Sequence, residues 1–419
     1  MSDIRPFRAW RPKAELAPRV AAPPYDVLDS EEARGMAQGN ALSFLHVGKP
    51  EIDLPPGTDL HSPLVYAMGA KNLRRLVREG VLVHDAQPCY YAYQQRMGHH
   101  VQVGIVAVAS VAEYDRSLIR KHEHTRKEKE DDRTRHVEIL NAQTGPVFLT
   151  YRKQSAIDGI IDSVRREPPC VDFTAGDGIG HATWVIADRD RVEALRAEFA
   201  RLPCLYVADG HHRSASASSV AAARRAANPG HTGNEDYNYF LTVIFPDDQM
   251  QVLDYNRVVL DLAGLDPERF LARVSERFSI EAVAAGKPDR ARRFGMFLRG
   301  QWHRLEAKPG TFDEEDPVGS LDVSILQQNL LAPVLGVRDP RTDKRIDFVG
   351  GIRGLRELEK RVSAGAAVAF AMYPTSIRQL MAIADAGEIM PPKSTWFEPK
   401  LRDGLFIHAL DARPIGGQE

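Results

Sequence analysis

Leu205-Tyr206-Val207-Ala208-Asp209-Gly210-His211-His212-Arg213 reads as a short buried strand that breaks at Asp209-Gly210 and runs straight into a helix. The following Ser214-Ala215-Ser216-Ala217-Ser218-Ser219-Val220-Ala221-Ala222-Ala223-Arg224-Arg225 is rich in alanine, so its helix propensity is high. Its arginine pair falls near the C-terminal end, where cations suit the helix dipole. The turn sets the free N–H groups of a helix start beside an acid, two imidazoles and a guanidinium, a combination that suits a phosphate. The competing reading is a polar turn with Arg213 in a structural ion pair. Asp-Gly alone would fit that reading; the whole set at a strand's carboxyl end fits a phosphate site better.

Upstream, Lys121-His122-Glu123-His124-Thr125-Arg126-Lys127-Glu128-Lys129-Glu130-Asp131-Asp132-Arg133-Thr134-Arg135-His136 carries six basic and five acidic side chains. It reads as one charged helix with Glu123/Lys127 and Asp131/Arg135 as i,i+4 pairs and residues 127–132 as a solvated face. Ile119, Val137 and Leu140 return to core spacing, which places His122, Glu123, Thr125, Arg126 and Arg133 beside the core. A carboxylate flanked by two histidines can accept a proton or hold a metal. His122 and His124 with His211 and His212 offer four imidazoles, but on a helix His122 and His124 do not share a face, and no HExxH is present, so no dedicated metal site is expected. Mg²⁺ arriving with a phosphate donor is the better fit, since it needs only one or two carboxylates.

Downstream, Met390-Pro391-Pro392-Lys393-Ser394-Thr395-Trp396-Phe397-Glu398-Pro399-Lys400-Leu401-Arg402-Asp403-Gly404 joins rigid prolines to groups able to bind a phosphate or carboxylate. Lys393, Ser394 and Thr395 are the candidates there; an ordered loop wedged by Trp396 and Phe397 is the alternative. Pro24-Tyr25-Asp26 is equally well a turn that packs its tyrosine.

The chain has 419 residues, of which 43% are hydrophobic and 27% charged, as in an ordinary soluble protein of two or three domains. A net charge of −2 provides no field to attract nucleic acid or an anionic membrane. Cys89, Cys170 and Cys204 are scattered, and neither an apolar signal region nor a membrane-length run is seen, so a cytoplasmic location is expected. Mixed strands and helices without a steady βαβ rhythm point to an α+β fold. Strands are expected near 88–95 and 101–112, joined by a hairpin at Gly98-His99-His100, and later near 145–151, 182–187, 239–245 and 405–409. Helices are expected near 63–80, 154–166, 190–200 and 320–334. The expected segments are 1–110, a core at 111–250 with an insertion at 151–204, and 251–419.

Arg5-Pro6-Phe7, Pro23-Pro24-Tyr25-Asp26-Val27, Ser43-Phe44-Leu45-His46-Val47, His122-Glu123-His124-Thr125, Asp209-Gly210-His211-His212-Arg213 and Met390-Pro391-Pro392-Lys393-Ser394-Thr395 together resemble the domain of unknown function 1015 family. The Asp-Gly-His-His-Arg turn also resembles that of the ParB/sulfiredoxin superfamily, in particular the free-serine kinases. The resemblance implies a ParB/sulfiredoxin-like mixed α/β core with large N- and C-terminal mixed α/β additions. It implies a phosphotransferase that moves a phosphoryl group from ATP, ADP or pyrophosphate, with Mg²⁺, to L-serine or a similar small hydroxylated metabolite.

In that scheme Glu123 is the general base, while Asp209 and His212 are the other catalytic groups, Asp209 orienting a histidine or holding Mg²⁺. Gly210, His211, Arg213, Ser214, Arg126 and Arg133 bind phosphates, and His124, Thr125, Lys393, Ser394 and Thr395 line the substrate. No Walker A loop or kinase Gly-rich loop is present. Three alternatives stay open: a phosphoserine phosphatase, a nucleotide-binding regulator without turnover, and a ParB-like DNA-binding module. Near-zero charge and the lack of a helix-turn-helix count against the last. The expected partners are a small substrate and a phosphate donor, neither nucleic acid nor membrane, with a homodimer admitted.

Overall fold

The β-rich run Val101–Val108 lies in β3 (His100–Ser110), whose residues from 102 onward are buried. A two-residue turn at Gly98-His99 joins it to β2 (Tyr90–Met97), so the expected hairpin forms. The computed structural model describes residues 2–413 and 415–416. Its elements make an α+β fold, and the described residues divide into two units, one running to residue 250 and resuming at 399, the other spanning 251–398.

The first unit is built on a nine-stranded mixed sheet. Its remaining strands are β1 (Ile4–Arg5), β4 (Ile119–Arg120), β5 (Val147–Tyr151), β6 (Val171–Thr174), β7 (Gly180–Ile186), β8 (Leu205–Asp209) and β9 (Tyr239–Pro246). The order is β4-β8-β5-β9-β3-β2-β7-β6, with β1 beside β3. Helices α1 (Pro63–Arg78), α2 (Lys127–Leu140), α3 (Ser155–Arg165), α4 (Arg189–Ala200) and α5 (His211–Ala227) belong to this unit. Ile157 and Ile161 of α3, Leu195 and Phe199 of α4 and Val220 of α5 share one apolar core with Val147, Leu149, Leu205 and Val207. Leu73 and Leu76 of α1 share a second core with Val20, Phe44 and Leu140.

Two pairings position the site. β4 and β8 run parallel, with Leu205 opposite Ile119 and Tyr206 opposite Arg120, so the chain leaves both strands at the same sheet edge. β5 runs antiparallel to β8 and therefore begins at that edge. The register slips at Ala208: Val207 faces Leu149, while Asp209 faces Phe148. Such a bulge bends the strand end and re-aims the residue that follows it.

Four expectations are corrected. The boundary at residue 110 does not exist, because strands from both sides of it, and β6 and β7 from the 151–204 insertion, pair in one sheet. The charged helix begins only at Lys127, and residues 121–126 are irregular. His122 is drawn into the protein against His211, which local charge patterning cannot foresee. This helix ends at Leu140 with Asn141 in the left-handed conformation (φ 53°), as an αL cap. The expected helix at 320–334 is Asp322–Leu326 followed by a wide π turn at Gln327–Leu331. The last strand is only His408–Ala409, paired with Ala142–Gln143.

The second unit holds a six-stranded antiparallel sheet of β10 (Tyr255–Val259), β11 (Phe278–Val283), β12 (Arg293–Leu298), β13 (Gln301–Ala307), β14 (Ile346–Gly350) and β15 (Val368–Ala371), in the order β11-β13-β12-β15-β10-β14. Among the described residues no helix is long and apolar enough to cross a membrane.

Candidate active site

β8 ends at Asp209, whose Oδ1 accepts the Gly210 N–H at 2.7 Å. Gly210 has φ +93°, a left-handed conformation that L-residues adopt at a cost. A Cβ there would also lie 3.4 Å from Val147 Cα and from Arg213 Nε. The left-handed φ therefore favours glycine, while the space itself would admit a Cβ in ordinary contact. α5 starts at His211 with no side-chain cap, and the Ser214 N–H makes a helical bond to the Gly210 carbonyl at 3.0 Å. The amides of an uncapped first turn present positive potential to an anion.

Charged groups crowd this helix start. The other Asp209 oxygen, Oδ2, lies 2.7 Å from Lys400 Nζ. Burial alone would raise the Asp209 carboxyl, but the Lys400 and Arg213 charges and the Lys400 hydrogen bond hold it well below the usual range. The Arg213 side chain is 12% exposed; Nη1 donates to the Pro146 carbonyl at 2.5 Å, and Nη2 lies 3.5 Å from Asp26 Oδ2. Its Nε is buried without a partner. Burial opposes the Arg213 charge, and Asp26, Asp209 and Asp403 more than offset it.

Behind Arg213 lies a cavity of about 30 Å³ lined by Arg133, Tyr25, Ser216 and Asp403. It has room for a single water. Arg133 donates to Asp132 at 2.7 and 2.9 Å and lies 4.0 Å over the Tyr25 ring. Asp403 is buried with Oδ1 unpartnered; burial pushes its carboxyl up to about 7, against the pull of Arg213.

The 121–126 loop leaves β4 at the same edge. His122 is 2% exposed, and neither ring nitrogen meets a partner in hydrogen-bonding geometry. Its ring stands edge-on to His211, centroids 4.4 Å apart, and His211 Nε2 is likewise buried without a partner. Burial lowers His122 to about 4, opposed only in part by Asp209 and the nearby Val207 backbone. Burial and the adjacent His122 lower His211 well below its ordinary value. One carboxylate oxygen of Glu123 and one nitrogen of each imidazole all lie within 4.8 Å of one another. His212 Nε2 accepts the Arg126 N–H at 3.1 Å, which ties the loop to α5 and assigns the ring proton of neutral His212 to Nδ1.

Of the residues expected from sequence, Glu123, Arg126, Asp209, Gly210, His211, His212 and Arg213 meet here, and Arg133 joins through the cavity. Others do not serve as expected. Ser214 Oγ is buried and donates to the His211 carbonyl at 3.0 Å, so it serves its own helix rather than a phosphate. Thr125 Oγ1 donates to Glu130 at 3.1 Å, and His124 is exposed. Asp209 does not fit a Mg²⁺ role, because one oxygen is taken by an amide and the other by an ammonium.

Lys393, Ser394 and Thr395 belong to the second unit. There Arg257 donates to the Lys393 carbonyl at 2.9 Å, Ser394 Oγ to the Pro391 carbonyl at 2.6 Å and Thr375 Oγ1 to the Ser394 carbonyl at 3.0 Å. These bonds hold a loop in shape, in keeping with the alternative reading of that stretch.

Sequence reading misses Lys400 and Asp403 as site residues, although the stretch containing them stands out for its composition. Arg402 pins that stretch: its Nε donates to His181 Nε2 at 3.1 Å, and it pairs with Asp177. His181 therefore keeps its proton on Nδ1, 2.8 Å from Tyr93 Oη. Gln95 Nε2 adds a bond to the Lys400 carbonyl at 2.8 Å.

No curated protein matches the sequence. Solved structures that align with the chain include a free serine kinase in complex with AMP, at 12% identity over 70% of this chain and 86% of that one, TM-score 0.35. A conserved hypothetical protein from Pyrococcus furiosus aligns at 12% identity over 72% and 93%, TM-score 0.35. SbnI with a C-terminal truncation, from Staphylococcus aureus, aligns at 10% identity over 71% and 85%, TM-score 0.39. The family described as protein of unknown function DUF1015 matches residues 4–324, and the chain belongs to that family.

Proposed function

We propose that the first unit is a phosphotransferase that moves a phosphoryl group from ATP, ADP or pyrophosphate to a small hydroxylated metabolite, L-serine being the leading candidate. The observation that carries this reading is Arg213: a half-buried guanidinium whose buried Nε meets no partner among the described residues, beside an uncapped helix start, with Lys400 on the flanking carboxylate. Phosphoryl transfer depends mainly on positioning and charge neutralisation, and these groups provide both. The α5 amides and Arg213 would hold the transferring group. Lys400, anchored by Asp209, would neutralise donor oxygens. Glu123, half-buried near His211, would take the proton from the acceptor hydroxyl. His212 positions the loop that carries Glu123 through the Arg126 amide.

The test is ³¹P NMR of the full chain with ATP, ADP or pyrophosphate and a panel of hydroxylated amino acids. Glu123→Gln should abolish transfer while leaving donor binding nearly intact. Arg213→Gln should lower the rate by roughly 10²–10³-fold, the scale of one lost transition-state donor. No transfer with any pair, or full activity in Glu123→Gln, would overturn the assignment.

A further inference from the structure

Two buried imidazoles stand at the sheet edge with nitrogens that meet no partner in hydrogen-bonding geometry among the described residues: both of His122 and Nε2 of His211. Buried polar groups without partners are rare, and an ion or a water is the usual cause. Phenylalanine would fill such a space without the cost of unmet hydrogen bonds. The phosphotransferase reading leaves these nitrogens unused, and the inference drawn from them does not rest on it.

We propose that His122, Glu123 and His211 bind one divalent transition-metal ion of the zinc class. Two imidazoles and one carboxylate are a ligand set that zinc and its first-row neighbours favour, whereas Mg²⁺ takes oxygen ligands. The three ligand atoms lie within 4.8 Å of one another. Metal–ligand bonds of about 2.0–2.1 Å bring such atoms to roughly 3.3 Å, so the triad must close by at most roughly 1.5 Å. His122 gives up only a contact with the Val207 backbone that falls outside hydrogen-bonding geometry, and it sits in the irregular 121–126 segment rather than on a helix. The expectation that no metal site exists weighs His122 and His124 beside His211 and His212, and rests on the first two lying on a helix. The second imidazole comes instead from His211, across the parallel β4–β8 pairing. Glu123 is half-buried and opens the site to solvent, which leaves a coordination position for water or a ligand. A Glu123 oxygen committed to the ion would be withdrawn from proton abstraction, so an occupied site would slow any transfer that uses it as base.

The experiment uses the full chain, stripped with chelator and desalted, then titrated with CoCl₂ alone. One equivalent should bind with the visible d–d absorption of a four- or five-coordinate ion, and ZnCl₂ should displace it. Glu123→Gln and His122→Phe should each weaken binding by at least ~100-fold, more than the loss of an outer-shell partner costs. Glu123→Gln changes a half-buried group isosterically and serves as the folded control should His122→Phe fail to fold. Absence of the absorption band would overturn the proposal and leave water as the occupant. Binding by Glu123→Gln equal to that of the unaltered chain would also overturn it, by placing the ion elsewhere.

Discussion

Lys400→Met tests whether the C-terminal return is part of the site. The substitution keeps most of the side-chain stem and removes the charge 2.7 Å from Asp209 Oδ2. At an effective dielectric of ~20, two unit charges at that distance attract by ~6 kcal/mol before any desolvation cost. The two side chains are 15% and 28% exposed, so the pair lies between the surface and buried extremes. Its net coupling should then fall between ~1 and ~3 kcal/mol. A double-mutant cycle with Asp209→Asn isolates this quantity, measured by urea unfolding of the full chain, with hydrogen exchange at β8 amides reporting the first unit. The pH dependence gives an independent sign. A depressed carboxyl stabilises the fold fully above the unfolded value of ~3.9, and the contribution is lost as pH falls through the lower folded value. The unaltered chain and Lys400→Met should therefore differ most near neutrality, begin to approach each other only as pH falls below ~3.9, and converge only below the depressed folded value. A coupling under ~0.5 kcal/mol at pH 7, within the error of additivity, would refute the pairing and with it the role given to Lys400.

Asp403, raised to about 7 by burial, carries the opposite sign. Its protonated form stabilises the fold fully below ~3.9, and that contribution is lost as pH rises from there through about 7, for up to ~4 kcal/mol in all. Asp403→Asn should flatten this decline in a urea series, and an unchanged profile would show that the group is ionised in the folded protein. Gly210→Ala should cost ~1–2 kcal/mol for the left-handed residue. It should also weaken pyrophosphate binding by calorimetry, because relief of the left-handed φ shifts the amides of the turn. Gly178→Ala, at φ +82° in open space, should lose comparable stability without that binding loss; equal binding losses would remove the turn from the site.

Sequence reading succeeds where local backbone chemistry decides. The β8 strand, the Asp209-Gly210 break, the alanine-rich α5 and the β2–β3 hairpin all form. It fails where a tertiary contact overrides local pattern. Charge spacing places His122 on a helix, yet residues 121–126 are irregular and His122 packs edge-on against His211. Composition flags the stretch at 390–404, but the Lys393 carbonyl and the Ser394 hydroxyl are held by contacts in their own unit. The residues that reach the turn are Lys400 and Asp403, further along the same stretch.

The order of residues settles the strand, the glycine break and the alanine-rich helix, because each follows from preferences acting over a few neighbouring residues. Which polar groups gather at that break is settled by strand pairing. The parallel β4–β8 contact brings His122 and Glu123 to His211, and the anchoring of Arg402 on His181 and Asp177 brings Lys400 to Asp209. Residues separated by nearly two hundred positions acquire a shared environment only when the sheet closes, and no local preference encodes that meeting.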